Sequence, residues 1–153
     1  MVRRGGSLVR TYQLYLIDDE FASHYFGREK MFFDLFAEYN ESFGELKNIL
    51  KKQIQFITKP LSTLRLQQYI LQQLSKNQDF EHKQGIYYIQ NGNVSSAKLE
   101  IFEKHITIHA FGNYDAETLF FEVLRKSESS FLAIDLVHER YGWLRPIKER
   151  KLI

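Results

Sequence analysis

Two histidines four residues apart, His105 and His109, are the residues of this 153-residue chain whose spacing first suggests chemistry. On a helix that spacing presents both imidazoles to one metal ion. Here Ile106, Ile108 and Ala110 alternate with polar side chains, which reads as a strand. At about 3.3 Å per residue the two Cα atoms then stand roughly 13 Å apart on one face, too far to share an ion without ligands from other elements. A solvated or hydrogen-bonded sheet face explains the pair more simply, and no metal or cofactor is expected.

Asp135 is the only charge inside the apolar run FLAIDLV. A carboxylate in a buried strand is suited to acid–base work, although a strand end emerging from a sheet accounts for it equally. No serine sits in a Gly-x-Ser-x-Gly elbow, no glycine-rich phosphate loop joins a strand to a helix, and Gly5-Gly6 reads as a pliable terminus. The absence of cysteine removes thiolate nucleophiles, disulfides and cysteine-ligated metals. Nothing assembles a nucleophile, a base and an oxyanion donor, so the expectation is a protein that is not an enzyme.

A third constellation is aromatic and basic. Tyr141 and Trp143 lie among Arg140 and Arg145, a mixture that stacks bases and neutralises phosphates in nucleic-acid binders. It equally describes a tail that anchors on the core by its rings and leaves its charges wet. Arg3, Arg4 and Arg10 at one end, and Lys148, Arg150 and Lys151 at the other, keep a local basic patch open, although the net charge is only +2. Direct nucleic-acid binding through the C-terminal segment is therefore the alternative function.

The fourth constellation is the stretch EFASHYFG, residues 20–27. Aromatic residues make up 15% of the chain, with 13 Phe, 9 Tyr and one Trp, so large rings dominate its packing and its surfaces. At 100° per residue, Phe21 at 0° places Tyr25 at 40°, Ala22 at 100° and Phe26 at 140°. If Ala22 and Phe26 face the sheet, Phe21 and Tyr25 lie on the shoulder of the helix, where a partner reaches them. Helical spacing leaves that reading level with one in which both rings fill the core. Farther on, Gln53 interrupts a stripe of Leu46, Leu50 and Ile57, either as an amide at an interface edge or as a glutamine at the stripe margin.

The elements that must position these groups follow from periodicity. Residues 11–17 carry apolar groups at both parities, as in a central strand covered on both faces. Asp18 or Asp19 caps a helical stretch reaching Tyr39 with a break at Gly27. Helices follow over 45–57 and 62–75, the latter burying Leu64, Leu71 and Leu74 opposite Gln68 and Gln72. GIYYIQ runs into Asn91-Gly92, a type I′ hairpin signal whose partner strand starts near Ala97. Leu99 and Ile101, then Ile106, Ile108 and Ala110, form a hairpin about Glu103-Lys104. A helix capped by Asp115 buries Leu119, Phe120, Val123 and Leu124, and FLAIDLV is a closing strand. The order β-α-α-α-β-β-β-α-β predicts an α+β single domain with a mostly antiparallel sheet of about five strands covered by helices. Residues 1–9 read as a flexible N-terminal extension and 10–153 as the domain. No apolar run approaches the roughly 18 residues of a membrane span, and the N-terminus lacks the apolar core of a signal peptide, so a cytoplasmic location is expected.

Three blocks, YLIDDEFASHYFGRE at 15–29, YDAETLFFEVLRK at 114–126 and RYGWLRPIKER at 140–150, closely resemble the sporulation inhibitor of replication family, SirA. They occur in the family's order and spacing, and the likeness runs from about Arg10 to the C-terminus, looser over 40–50 and 76–100. The resemblance implies a small cytosolic protein of endospore-forming bacteria, made as sporulation begins, that binds domain I of the replication initiator DnaA and keeps it from acting at the chromosomal origin. It also implies a docking surface. The family's Phe and Tyr in the first helix fall on Phe21 and Tyr25, and its Gln in Lys-Gln-Ile-Gln falls on Gln53 within KQIQFITKP.

Overall fold

The run TYQLYLI becomes the hub of the sheet. In this computed structural model, which describes residues 9–147, strand β1 (Val9–Leu16) lies between β5 (Ile106–Gly112) and β6 (Phe131–Asp135), antiparallel to both. Leu14 sits opposite Ile106 on one side and Ala133 on the other. Beyond β5 come β4 (Ser95–Ile101), β3 (Ile86–Asn91) and β2 (Phe80–Lys83), and beyond β6 comes β7 (Arg140–Trp143). The order is β2-β3-β4-β5-β1-β6-β7, and every pairing is antiparallel. The fold is the expected α+β single domain, with seven strands among the described residues where about five were anticipated. The two additions are the polar edge FEHK and the tail RYGW, each only four residues long.

Helices cover the sheet unequally. On one face α4 (Thr63–Leu74) and α5 (Asp115–Ser127) bury Leu66, Ile70, Phe120 and Leu124 against Leu14, Leu99, Ile106 and Ile108. On the other, α1 (Asp19–His24), α2 (Lys30–Glu41) and α3 (Gly44–Ile57) build a second core of Ala22, Phe32, Phe36 and Ile54 over Ile17, Leu132 and Ile134. The alternating exposed or half-exposed side chains of β4 and β5, such as Lys98, Glu100 and His109, give the rest of that face the wet character their period-two pattern predicts.

Several expected positions shift. Asn91-Gly92 does not form a two-residue turn: β4 starts at Ser95 opposite Asn91, and a three-residue loop closes with the Val94 N–H donating to the Asn91 carbonyl at 3.1 Å. Asp115 is the first residue of α5 and not its cap: the cap position falls on Tyr114, whose side chain makes no capping bond, and the Asn113 carboxamide oxygen accepts from the Asp115 N–H at 2.9 Å. Leu64 is 66% exposed, and Leu66 and Ile70 take the core side of α4 in its place. In α3 the buried pair is Leu50 and Ile54, with Leu46 49% exposed. Of the expected N-terminal extension, residues 1–8 lie outside the described residues, and Val9 already belongs to β1.

Arg10 departs most from its sequence reading. It is buried, not part of a basic patch, and donates Nε–H and Nη2–H to the Glu117 carboxylate at 2.8 and 2.6 Å. Its Nη1–H and Nη2–H also reach the carbonyls of Gly112 and Asn113 at 2.8 and 3.0 Å, and the Tyr12 hydroxyl donates to Glu117 as well. Burial, followed by that bond to Glu117, pushes the Tyr12 phenol well above its ordinary range. The pair fastens β1 to the start of α5. Gly112 completes the junction because it holds φ at +86° and a Cβ there would meet the Val94 carbonyl oxygen at 2.1 Å.

Glu117→Ala is expected to cost about 3–5 kcal/mol in urea unfolding, because it strands a buried guanidinium. A loss below about 1 kcal/mol, the scale of an exposed pair, would contradict this account of the junction.

Candidate partner-binding cleft

The candidate cleft starts where β1 ends. The Asp18 N–H donates to the Ile57 carbonyl at 2.8 Å, the Lys59 N–H donates to the Leu16 carbonyl at 2.7 Å, and Ile17 and Thr58 form an isolated antiparallel bridge. The last turn of α3 is thereby fixed beside the first residue before α1. Asp18 caps α1 by accepting from the Glu20 N–H at 3.0 Å, and Asp19 and Glu20 place negative charge at its positive end. One turn later Phe21 meets Phe56 of α3 edge to face, centroids 5.3 Å apart.

Helix α1 is short. Its cap is Tyr25, and Gly27 at φ +81° turns the chain into α2. Phe26 therefore leaves the helical arc assumed from its spacing and is 44% exposed instead of facing the sheet. Ala22 alone of that set is buried, while Phe21 and Tyr25 are half-buried on the shoulder. Tyr25 rests edge-on against Phe32 at 5.7 Å, and the Arg28 guanidinium lies over its ring at 4.9 Å.

The turn between α1 and α2 is held by a residue that spacing did not single out. Glu29 accepts from the Gly27 N–H at 3.0 Å and from Trp143 Nε1–H at 3.3 Å, while the Trp143 ring packs against Phe32 at 6.0 Å. Burial works to raise the Glu29 carboxyl, but these bonds, with one from its own N–H, hold it below the usual range.

Together these elements frame an open cleft of about 550 Å³. Phe21 and Tyr25 form one wall, and Met31, Phe32 and Leu35 of α2 form the floor. The α3 wall consists of Lys52, Gln53, Phe56 and Ile57. The three residues singled out in the sequence thus line a single surface. Gln53 does not interrupt a buried stripe; it is exposed at the rim, where its amide can both donate and accept. Phe56, 74% exposed, was missed. Its signal was its place off the Leu50–Ile54 side of α3, which leaves a large ring on the outer face.

The other constellations stay apart, each with local partners. His105 stacks on Tyr15 and Phe102, with centroids 5.5 and 4.9 Å away, and burial lowers its pKa. His109 meets Thr11 Oγ1 at 3.1 Å. Among the described residues no group of three or more acidic, histidine or cysteine side chains is placed to hold a metal. The Asp135 carboxylate accepts from the His138 N–H at 3.1 Å, from His138 Nδ1–H at 2.8 Å and from Arg140 Nη2–H at 2.8 Å, closing the turn into β7. Burial opposes its ionisation, but these bonds, led by Arg140, bring its pKa below the ordinary value.

Of the C-terminal rings, Trp143 packs half-buried against Phe32, whereas Tyr141 lies over Phe33 at 5.3 Å and is 39% exposed. Arg10 is buried against Glu117, whereas Arg140 is paired to Asp135 with its side chain still 45% exposed, and Arg145 is exposed. Lys148, Arg150 and Lys151 lie outside the described residues. No helix among the described residues is long and apolar enough to cross a membrane.

Comparison with known proteins agrees with the resemblance. The family described as "Sporulation inhibitor of replication protein SirA" matches residues 10–148. The protein of that name from Bacillus subtilis (strain 168) is 43% identical over 147 residues, covering 94% of this chain and 99% of its own length.

The cleft's layers should separate in stability measurements. Phe32→Ala should cost about 3–5 kcal/mol as a core truncation, whereas Gln53→Ala at the exposed rim should stay within about 0.5 kcal/mol of the parent. Equal effects on the chemical-denaturation midpoint would contradict the assignment of floor and rim. Asp135 gives a pH signature. A depressed folded pKa means its contribution is complete above the ordinary carboxyl range and disappears as pH falls through the folded value. The stability gap between the parent and Asp135→Asn should therefore be widest near about pH 7 and close towards about pH 2; a gap independent of pH would contradict the ionised pairing.

Proposed function

The chain belongs to the SirA family of sporulation inhibitors of replication, and from that premise we propose that it blocks initiation of DNA replication during sporulation by seating domain I of the initiator DnaA in the cleft between α1 and α3. It acts by occupancy in the cytoplasm, without catalysis. The single observation that carries this reading is the convergence of Phe21, Tyr25 and Gln53 on one open, largely apolar surface.

The physical case rests on incomplete burial. Phe21 and Tyr25 are held by Phe56, Phe32 and Arg28, yet each keeps part of its ring in water. A partner that finishes covering a large apolar side chain gains up to about 1.5–3 kcal/mol for it, and rigid aromatics lose little entropy when covered. Gln53 at the rim adds direction, since a net hydrogen bond is worth about 0.5–1.5 kcal/mol and an unmatched amide costs more. Lys52 beside it favours an acidic group on the partner.

Calorimetric titration with purified DnaA domain I tests the reading. Phe21→Ala and Tyr25→Ala are each expected to weaken binding by about 2 kcal/mol or more, roughly thirtyfold, with Gln53→Ala costing about 1 kcal/mol. Circular dichroism must show the variants folded. Undiminished affinity in folded Phe21→Ala and Tyr25→Ala proteins would remove the cleft from the mechanism.

A further inference from the structure

The turn that leads the chain out of α1 runs from Tyr25 to Arg28, whose N–H donates to the Tyr25 carbonyl at 2.8 Å. Its third residue, Gly27, holds φ at +81°, as a type II turn requires there. Type I and type II turns differ mainly in the direction of their central peptide, here the one joining Phe26 to Gly27. Glycine takes either sign of φ with similar ease, so the Gly27 backbone does not by itself choose between the two. The group that holds the Gly27 N–H makes the choice.

That group is Glu29. Its Oε2 accepts from the Gly27 N–H at 3.0 Å and, on the same oxygen, from Trp143 Nε1–H at 3.3 Å. Bonds to an ionised acceptor are the stronger kind. Trp143 in turn belongs to β7, where its pairing with β6 sets it opposite Leu132. The direction of one peptide in an otherwise short turn is thereby referred to the sheet.

What the turn carries is one wall of the aromatic cleft. The Tyr25 ring meets His24 edge to face at 4.8 Å and Phe32 at 5.7 Å, and the Arg28 guanidinium lies over it at 4.9 Å. Arg28 and Phe32 lie beyond the turn, so a change of turn type moves both relative to the ring. Arg28 also reaches back across the turn, donating Nη2–H to the His24 carbonyl at 3.4 Å. Neither Glu29 nor Trp143 lines the cleft. Their influence on a bound partner must pass through the turn, or through Phe32, on which Trp143 packs at 6.0 Å.

We propose that Glu29 and Trp143 are positioning residues, which set the affinity of the cleft for its partner by locking the Tyr25–Arg28 turn in one state. The proposal rests on the reading of the cleft as the seat of DnaA domain I. Released from Glu29, the Phe26–Gly27 peptide samples both directions, and the Tyr25 wall is in place for only part of the time. A wall in place about a tenth of the time binds about tenfold more weakly, with no contact to the partner removed.

Two measurements test it. In the free chain, NMR follows the ring protons of Tyr25 and Phe32 and the indole N–H of Trp143, the one tryptophan of the sequence. Glu29→Ala should shift the indole resonance and weaken the nuclear Overhauser effects between the Tyr25 and Phe32 rings. Ring contacts unchanged in that variant would overturn the lock. In calorimetric titration with DnaA domain I, Glu29→Ala should bind about fivefold to tenfold more weakly than the parent. Trp143→Phe, which keeps a ring against Phe32 but loses the donor, should bind about threefold more weakly. In a Tyr25→Ala background the effect of Glu29→Ala should shrink below about twofold, whereas a Gln53→Ala background should leave it whole. Ile70→Val, a truncation in the opposite core, should lower the thermal midpoint without changing affinity. Undiminished affinity in folded Glu29→Ala and Trp143→Phe proteins would overturn the proposal, as would a loss equally large without Tyr25 or matched by Ile70→Val. A parent chain that does not bind domain I would sink the partner reading itself, with the NMR comparison still deciding whether Glu29 locks the turn.

Discussion

Two backbone hydrogen bonds, from Asp18 N–H to the Ile57 carbonyl and from Lys59 N–H to the Leu16 carbonyl, tie the end of the central strand to the end of α3. The candidate surface depends on this seam. It brings the start of one helix beside the finish of another although about forty residues of chain separate them, so Phe21 and Phe56 must meet within a turn of the junction. Ile17, at the seam's centre, is fully buried, and its backbone is satisfied on the other side by Ser130: its N–H donates to the Ser130 carbonyl at 3.0 Å, and its carbonyl accepts from Ser130 Oγ–H at 2.5 Å. Buried backbone groups this completely paired have no inexpensive alternative arrangement.

The helices attached to that seam have different rigidity requirements. Helix α1 has six residues, too few to hold itself, and persists because Ala22 is buried and both its ends are pinned, by Asp18 at one and by Gly27 with Glu29 at the other. Trp143 extends this support to the sheet edge, which makes the tail RYGW a structural prop for the Tyr25 shoulder. A surface whose rings are already oriented loses less freedom on association than a loose one, which is how a small cleft with a few aromatic anchors can bind well.

Much of the fold was readable because burial imposes period. The two-sided run TYQLYLI and the alternating Ile106, Ile108 and Ala110 declared a covered central strand and a half-wet neighbour. Periodicity failed where geometry ends or competes. Phe26 was placed on a helix that Gly27 stops short, Leu46 and Leu64 were given core positions whereas Ile54 and Leu66 take the buried side, and the edge strands FEHK and RYGW, four residues each, are too short to announce themselves. Arg10 looked solvated because its counter-charge, Glu117, is more than a hundred residues away. For the site, spacing identified Phe21, Tyr25 and the stripe-breaking Gln53 but left their exposure undecided, and the family resemblance favoured the reading in which all three face a partner. Phe56 was visible only once α3 was oriented, since an exposed ring and a buried one look alike in a string of letters.

Hydrogen–deuterium exchange, read peptide by peptide on the protein alone and with DnaA domain I, tests the central claim most directly. The account predicts new protection concentrated on residues 19–28 and on the second half of α3 through Thr58, with β2 to β4 unchanged. Protection that bypasses both helices and falls on the wet face of the sheet or on the segment after β7 would contradict it.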